Sequence, residues 1–270
     1  ASGGSAANTI HGLAHLGINT GFIGSVGNDD MGKFFKKDMQ VNKIKPILFP
    51  SIIETGRAMA LISKDSERTF ATYLGAAVDL STEDISAEVF KGYDYFYIEG
   101  YLVQDKELFN KALRLASHAG LKICLDLASY NIVDDNVEFF KTMISEYVDI
   151  LFANEEEIRA LTDKSPEEGA RETSEICDLV VIKLGAEGSF CICSEGMVRV
   201  GVRPSKAIDT TGAGDLFASG FIYGHMKGLS GEICGKMGAI LAGRVIEMIG
   251  AKMDESHWEN LRREVAALEE

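Results

Sequence analysis

An α/β fold with a mostly parallel central sheet is the architecture that this 270-residue chain predicts, and three observations carry that reading. From Tyr93 onward, strand-length apolar runs alternate with longer amphipathic ones. That is the pattern of right-handed βαβ crossovers, in which helices cover both faces of a sheet. The 28 glycines fit many tight turns, and four prolines leave the elements between them largely uninterrupted. A composition of 46% hydrophobic and 25% charged residues is that of a globular protein, and a chain of this length can enclose a substantial core.

The elements follow in order. Ala6 to Leu16 is a run rich in small residues, closed by Gly17, and reads as a helix. Gly21 to Val26 is a short strand, and Gly27-Asn28-Asp29-Asp30-Met31-Gly32 turns into a helix over Lys33 to Met39. Arg57 to Ser63 and Arg68 to Leu74 read as two strands joined by the polar turn Lys64-Asp65-Ser66-Glu67, a β-hairpin set apart from the main alternation. Strands are then expected at Tyr93 to Ile98, Lys122 to Leu127, Asp149 to Phe152 and Leu179 to Lys183. Helices at Lys106 to His118, Val137 to Glu146 and Glu155 to Leu161 separate them. Ser189 to Cys193 and Met197 to Val200 read as an antiparallel pair, followed by helices at Gly214 to Lys227, Ser230 to Ile249 and about Ser256 to Leu268. No repeat, low-complexity tract or linker divides the chain, so residues 1–270 read as one domain. The sequence opens on a helix pattern, whereas a parallel sheet usually opens on a strand, so one or more N-terminal strands are expected to be missing from it.

Composition excludes several classes. A net charge of −14 argues against nucleic-acid and anionic-membrane partners, which need basic patches. It does not argue against ATP, whose site is decided by local dipoles and a metal. Five cysteines without a CxxC spacing make neither a disulfide framework nor a zinc ribbon; they read as free thiols in a reducing compartment. No apolar run spans a bilayer and no signal peptide is visible, so a cytoplasmic location is expected. His11 and His15 lie one helical turn apart, but Gly12 stands where the glutamate of a zinc-protease motif would be. Trp258 reads as a packing residue.

Chemistry concentrates in Asp209-Thr210-Thr211-Gly212-Ala213-Gly214-Asp215, at the entrance to a long helix. Main-chain N–H groups and the positive end of the helix dipole favour an anion there. An acid beside an anion site is counterproductive for holding phosphate alone, and sensible if Asp215 takes a proton from a hydroxyl that attacks the phosphate. The bland alternative is a capped α/β turn with no catalytic role. A P-loop is absent, Phe217 occupies the third glycine position of a dinucleotide fingerprint, and no HRD or DFG triplet occurs.

The loop, followed by Leu-Phe-Ala-Ser-Gly-Phe, closely resembles the C-terminal signature of the ribokinase-like, or PfkB, family of sugar and nucleoside kinases. Gly3-Gly4-Ser5-Ala6-Ala7-Asn8 and Gly24 to Gly32 are similar to its N-terminal signature, Asn154-Glu155-Glu156-Glu157 to its NxxE motif, and Lys183 to Gly188 to its nucleotide-side turn. The four occur in the family's order over nearly the whole chain. Thr55-Gly56-Arg57 and Tyr73 to Ala77 resemble the bacterial adenosine kinase-like or sugar kinase-like branch.

The resemblance implies a ribokinase-like three-layer α/β/α fold with a small β lid at about residues 55–76. It implies an ATP-dependent carbohydrate or nucleoside kinase in which Asp215 is the general base and the N–H groups of Gly212, Ala213 and Gly214 form an anion hole. Lys183, Gly185, Gly188 and Thr210 fall on the nucleotide side, Gly3, Gly4 and Asn8 on the acceptor side with Asp215. Asn154 and Glu157 would organise Mg²⁺; an Asn cap on an acidic helix start is the alternative. Lys183 reads equally as a surface lysine. A monovalent cation such as K⁺ near the Asp209 loop, and a homodimer paired through the lid, are further implications. A sugar such as ribose or fructose is the first acceptor expected, and adenosine or another nucleoside the alternative. Phe70, Tyr73 and Tyr101 would wall a purine, or simply pack the core. Ala128-Ser129-Tyr130-Asn131 departs from the Asn or Arg that some sugar-kinase relatives carry after this strand. The rival from another class is a non-catalytic sugar or nucleotide sensor on the same fold.

Overall fold

A computed structural model describes residues 1–62 and 68–269. The expected turn Lys64 to Glu67, and Ser63 at the end of the first lid strand, lie outside them. The described residues group into two compact units, Ala1–Asp84 with Arg203–Tyr223 and Ile240–Glu270, and Ile85–Val202 with Gly224–Ala239.

The first unit opens with α1 (Ser5–His15), β1 (Thr20–Gly27), α2 (Asp30–Val41) and β2 (Ile44–Ser51). β1 and β2 pair in parallel, Thr20 opposite Ile44 through Gly27 opposite Ser51. β2 escapes a sequence reading because Pro46 and Pro50 interrupt it, and proline marks edges rather than strand interiors. Asp29 caps α2 by accepting the Gly32 N–H at 2.8 Å, which the Asn28-Asp29 turn foreshadows. Ala7, Met39 and Ile44 form a core joined by Ile10, Ala14, Phe22 and Phe35. β3 (Arg57–Ile62) and β4 (Arg68–Tyr73) form the expected antiparallel pair, a separate two-stranded sheet.

The second unit holds a six-stranded sheet, made of β5 (Tyr95–Glu99), β6 (Lys122–Asp126), β7 (Ile150–Asn154), β8 (Leu179–Lys183), β9 (Ser189–Cys193) and β10 (Gly196–Val200) in unbroken sequential order. β5 to β8 are parallel, and β9 and β10 add on antiparallel. Ile123, Leu125, Leu151, Phe152, Val180, Val181 and Ile182 are fully buried, as continuous apolar strands covered on both faces are. α3 (Lys106–His118), α4 (Tyr130–Asp134), α5 (Val137–Tyr147), α6 (Glu155–Thr162) and α7 (Pro166–Thr173) connect the parallel strands. α3 fills its predicted span to the residue because Asp105 caps it, accepting the Leu108 N–H at 2.9 Å, and Leu108, Phe109, Ala112, Leu113 and Ala116 bury one face. The chain ends with α8 (Ala213–Met226), α9 (Gly231–Val245) and α10 (Glu255–Ala266).

The open alternatives for single residues resolve unevenly. Trp258 is 3% exposed and stacks on His15, ring centroids 4.6 Å apart. Tyr73 and Tyr101 are each 45% exposed, so core packing does not account for them; the Phe70 side chain lies outside the description. Among the described residues no disulfide forms and no helix is long and apolar enough to cross a membrane.

Candidate active site

In the first unit Asp215 occupies the first turn of α8 and remains partly exposed. Its two carboxylate oxygens are engaged by α1: Ser5 Oγ donates to Oδ1 at 2.7 Å and Asn8 Nδ2 to Oδ2 at 2.9 Å. The small residues of α1 make this possible. A Cβ on Gly12 would stand 2.3 Å from Ser219 Oγ of α8, and Ser219 Oγ itself donates to the Thr9 carbonyl at 2.8 Å. Gly4 immediately precedes α1 and accepts the Asn8 N–H at 2.9 Å; Gly3 and Gly4 are exposed, Asn8 is buried.

The loop ahead of α8 is tied down by Asp209, 5% exposed. Its Oδ1 accepts the Thr211 N–H at 2.6 Å and its Oδ2 the Gly250 N–H at 2.9 Å, joining two loops 41 residues apart. Gly212 has φ 77°, and a Cβ there would come within 2.5 Å of Ala251 Cβ. Both facts require glycine. The N–H of Ala213 donates to the Thr210 carbonyl at 3.2 Å, a tight turn that draws one of the three expected anion-hole amides inward. Gly212 and Gly214 keep the place at the positive end of α8 that the motif predicts.

In the second unit the predicted metal residues, with Lys183, Gly185 and Gly188 of the nucleotide set, gather at the C-terminal ends of parallel strands, where ligands of open α/β sheets bind; Thr210 lies in the first unit, in the loop before α8. Asn154 and Glu157 form a reciprocal capping box at the start of α6. Asn154 Oδ1 accepts the N–H groups of Glu156 (2.9 Å) and Glu157 (2.8 Å), and Glu157 accepts the Asn154 backbone and side-chain N–H groups, both at 2.8 Å. Burial pushes Glu157, 3% exposed, up to about 7; Lys183 opposes the rise and Asp126 adds to it. Lys183 is no surface lysine: its Nζ meets Asp126 Oδ2 at 2.6 Å, with side chains 17% and 8% exposed. Gly185 and Gly188 flank the single turn after β8, where the Leu184 N–H donates to the Gly188 carbonyl at 2.8 Å.

Asn154, Glu157 and Asp126 give this group the oxygen donors a hydrated divalent cation uses, and Lys183 already offsets part of its negative charge. Among the described residues no three His, Cys, Asp or Glu side chains converge as a metal cage. Sequence reading missed Ser5 and Asp126 as site residues. Ser5 stood inside the Gly3 to Asn8 motif, and Asp126 lay one residue before the end of the strand expected at Lys122 to Leu127; both signals were present.

The sequence profile described as pfkB family carbohydrate kinase matches residues 1–257. The 5-dehydro-2-deoxygluconokinase of Halalkalibacterium halodurans is 28% identical over 262 residues, spanning 90% of this chain and 79% of its own. The crystal structure of a probable sugar kinase from Rhizobium etli superposes with a TM-score of 0.92 at 34% identity, covering 99% of this chain and 83% of that one. The crystal structure of adenosine kinase from Sinorhizobium meliloti superposes with a TM-score of 0.91, again at 34% identity, covering 98% and 83%.

Proposed function

Because the chain belongs to the pfkB family of carbohydrate kinases, whose sugar and nucleoside kinases are ATP-dependent phosphotransferases, we propose that it transfers the γ-phosphoryl group of ATP to a hydroxyl of a small sugar, with Asp215 as general base. The observation that carries this reading is the partly exposed Asp215 carboxylate, fixed by Ser5 and Asn8 at the entrance of α8. An alcohol is too weak an acid to ionise beforehand, so Asp215 orients it and accepts its proton as the oxygen–phosphorus bond forms. The amides of Gly212 and Gly214, with Ala213 between them, face the charge that develops on the transferring group. Gly3, Gly4 and Asn8 serve the acceptor; Lys183, Gly185, Gly188 and Thr210 serve the nucleotide. Asn154 and Glu157 would hold Mg²⁺, which would supply charge neutralisation on the phosphates. A monovalent cation near the Asp209 loop belongs to the same reading, on the family resemblance alone. All 270 residues act as one kinase domain.

Coupled ADP release across D-ribose, D-fructose, 5-dehydro-2-deoxygluconate and adenosine tests the proposal. Asp215→Asn is expected to lower kcat by about 10²–10⁴-fold with little change in KM for ATP; near-normal turnover would end the assignment. In the same assay Glu157→Gln raises the Mg²⁺ requirement, and replacing Na⁺ by K⁺ reads the monovalent site. A nucleoside acceptor is the second reading, favoured by the likeness to an adenosine kinase and by the exposed rings of Tyr73 and Tyr101; fastest release with adenosine decides for it. The β3–β4 sheet, with Met59 of β3 65% exposed and Leu74, just after β4, 45% exposed, pairs two copies as a homodimer, which sedimentation velocity reads.

A further inference from the structure

Lys252 follows the Gly250-Ala251 loop that Asp209 anchors, and no motif singles it out. Its Nζ is buried without a hydrogen-bond partner. Ala251 before it packs against Gly212 at the entrance of α8, and the acids whose charge acts on it are Asp38 of α2 and Asp215 of α8, neither within ion-pair distance. From α1 it is faced by His11 and His15, the latter in turn by Glu255 and Arg262 of α10. His11 Nε2 approaches Asp38 Oδ2 at 3.2 Å, and Ser2 Oγ donates to the same oxygen. Asn8, which donates to Asp215, has its own buried Oδ1 unpartnered. The cluster therefore contains the proposed base, a second carboxylate and one buried ammonium.

We propose that Lys252 is a positioning residue for phosphoryl transfer: its buried ammonium, beside the Gly212 turn, keeps the Asp215 carboxylate that Ser5 and Asn8 orient in its ionised form while the acceptor hydroxyl is deprotonated. The proposal rests on Asp215 being the base. In the step, the acceptor O–H breaks and its proton passes to an Asp215 oxygen, the acceptor oxygen bonds to the γ-phosphorus, and the bond from that phosphorus to the β-bridging oxygen breaks to release ADP. A positive charge in low dielectric stabilises the ionised base before transfer and resists premature protonation. A structural lysine that merely neutralises Asp38 would leave the pH dependence of turnover unaltered. Burial also draws Lys252 down to about 8, which gives the role an alkaline limit.

The test is the pH profile of kcat and kcat/KM for the intact protein, Lys252→Met, Lys252→Arg and Asp215→Asn. ADP release is measured with whichever of D-ribose, D-fructose, 5-dehydro-2-deoxygluconate or adenosine is fastest, or with water if none accepts. Lys252→Met is expected to lower kcat about tenfold or more, with KM for ATP changed less than about twofold, and to move the acid limb of kcat/KM upward by about one pH unit. Lys252→Arg restores the acid limb and removes the decline near pH 8, because guanidinium keeps its proton. A folded Lys252→Met with unchanged kcat and limbs overturns the proposal. If Lys252→Met does not fold, superimposable alkaline limbs for Lys252→Arg and the unmodified protein overturn it. Asp215→Asn with normal turnover removes the underlying reading as well; inactive Asp215→Asn beside an unaffected Lys252→Met removes this inference alone.

Discussion

His11 shows how one buried side chain links packing to solution behaviour. It is 4% exposed, and burial, reinforced by Lys252, draws it down to about 4. A histidine held neutral in the native state gains its proton more readily when the chain unfolds. Its contribution to stability is therefore complete above the unfolded value near 6.5 and is lost as pH falls toward 4. His15 and His225, also lowered by burial, act in the same direction. We expect the protein to lose about 2 kcal/mol through His11 between pH 7 and pH 5. Urea unfolding at both pH values should show His11→Gln with the shallower loss; equal losses in the two proteins would contradict it. Ala128 is a second residue with physical content. Its φ of 68° places a non-glycine residue in the left-handed region directly after β6, where Tyr101 Oη donates to its carbonyl at 3.1 Å. It sits at the point where the sequence departs from the Asn or Arg of some relatives, and Asn tolerates that conformation better than Ala.

Among the elements, the α1–α8 pair frames the proposed base. Two helices whose sequences are 200 residues apart meet closely because Gly12 presents no side chain to Ser219 and Leu216. Their approach sets Ser5 and Asn8 onto Asp215. Gly12→Val forces the helices apart, since two or more added carbons have nowhere to go beside Ser219. The expected cost is roughly 1–3 kcal/mol of stability, together with a fall in kcat larger than the change in KM for ATP, because the base loses its two donors. Thermal unfolding and steady-state kinetics on one preparation check both; a destabilised variant with unchanged kcat would show that α1 does not align the base. α6 illustrates the converse. Its Asn154-Glu157 capping box is complete within four residues, so the helix start is locally determined, and the same atoms that the metal role uses also cap the helix.

On the scale of the molecule, the β3–β4 sheet pairs with no other strand among the described residues. Exposed strand edges and apolar side chains invite a partner copy. Lysine at Met59 and Leu74, residues 65% and 45% exposed, should convert the proposed dimer to monomer in sedimentation velocity without lowering the unfolding temperature. A wild-type chain that sediments as a monomer at tens of micromolar would refute the dimer.

Sequence by itself determined the alternation of strands and helices, the near-exact span of α3, the antiparallel pair β9 and β10, and the glycine loop with its acid. Each depends on neighbours two to four positions away, which is the range that periodicity, caps and turn residues report. β2 was invisible because its two prolines contradict strand propensity while its pairing with β1 sustains it. Lys183 found its partner only in the fold, since Asp126 lies 57 residues earlier and reaches it across β7 from β6. Asp215 received Ser5 and Asn8 in the same way. Which charges end up buried together is set by long-range packing, and local pattern carries no information about contacts whose loop closure spans most of the chain.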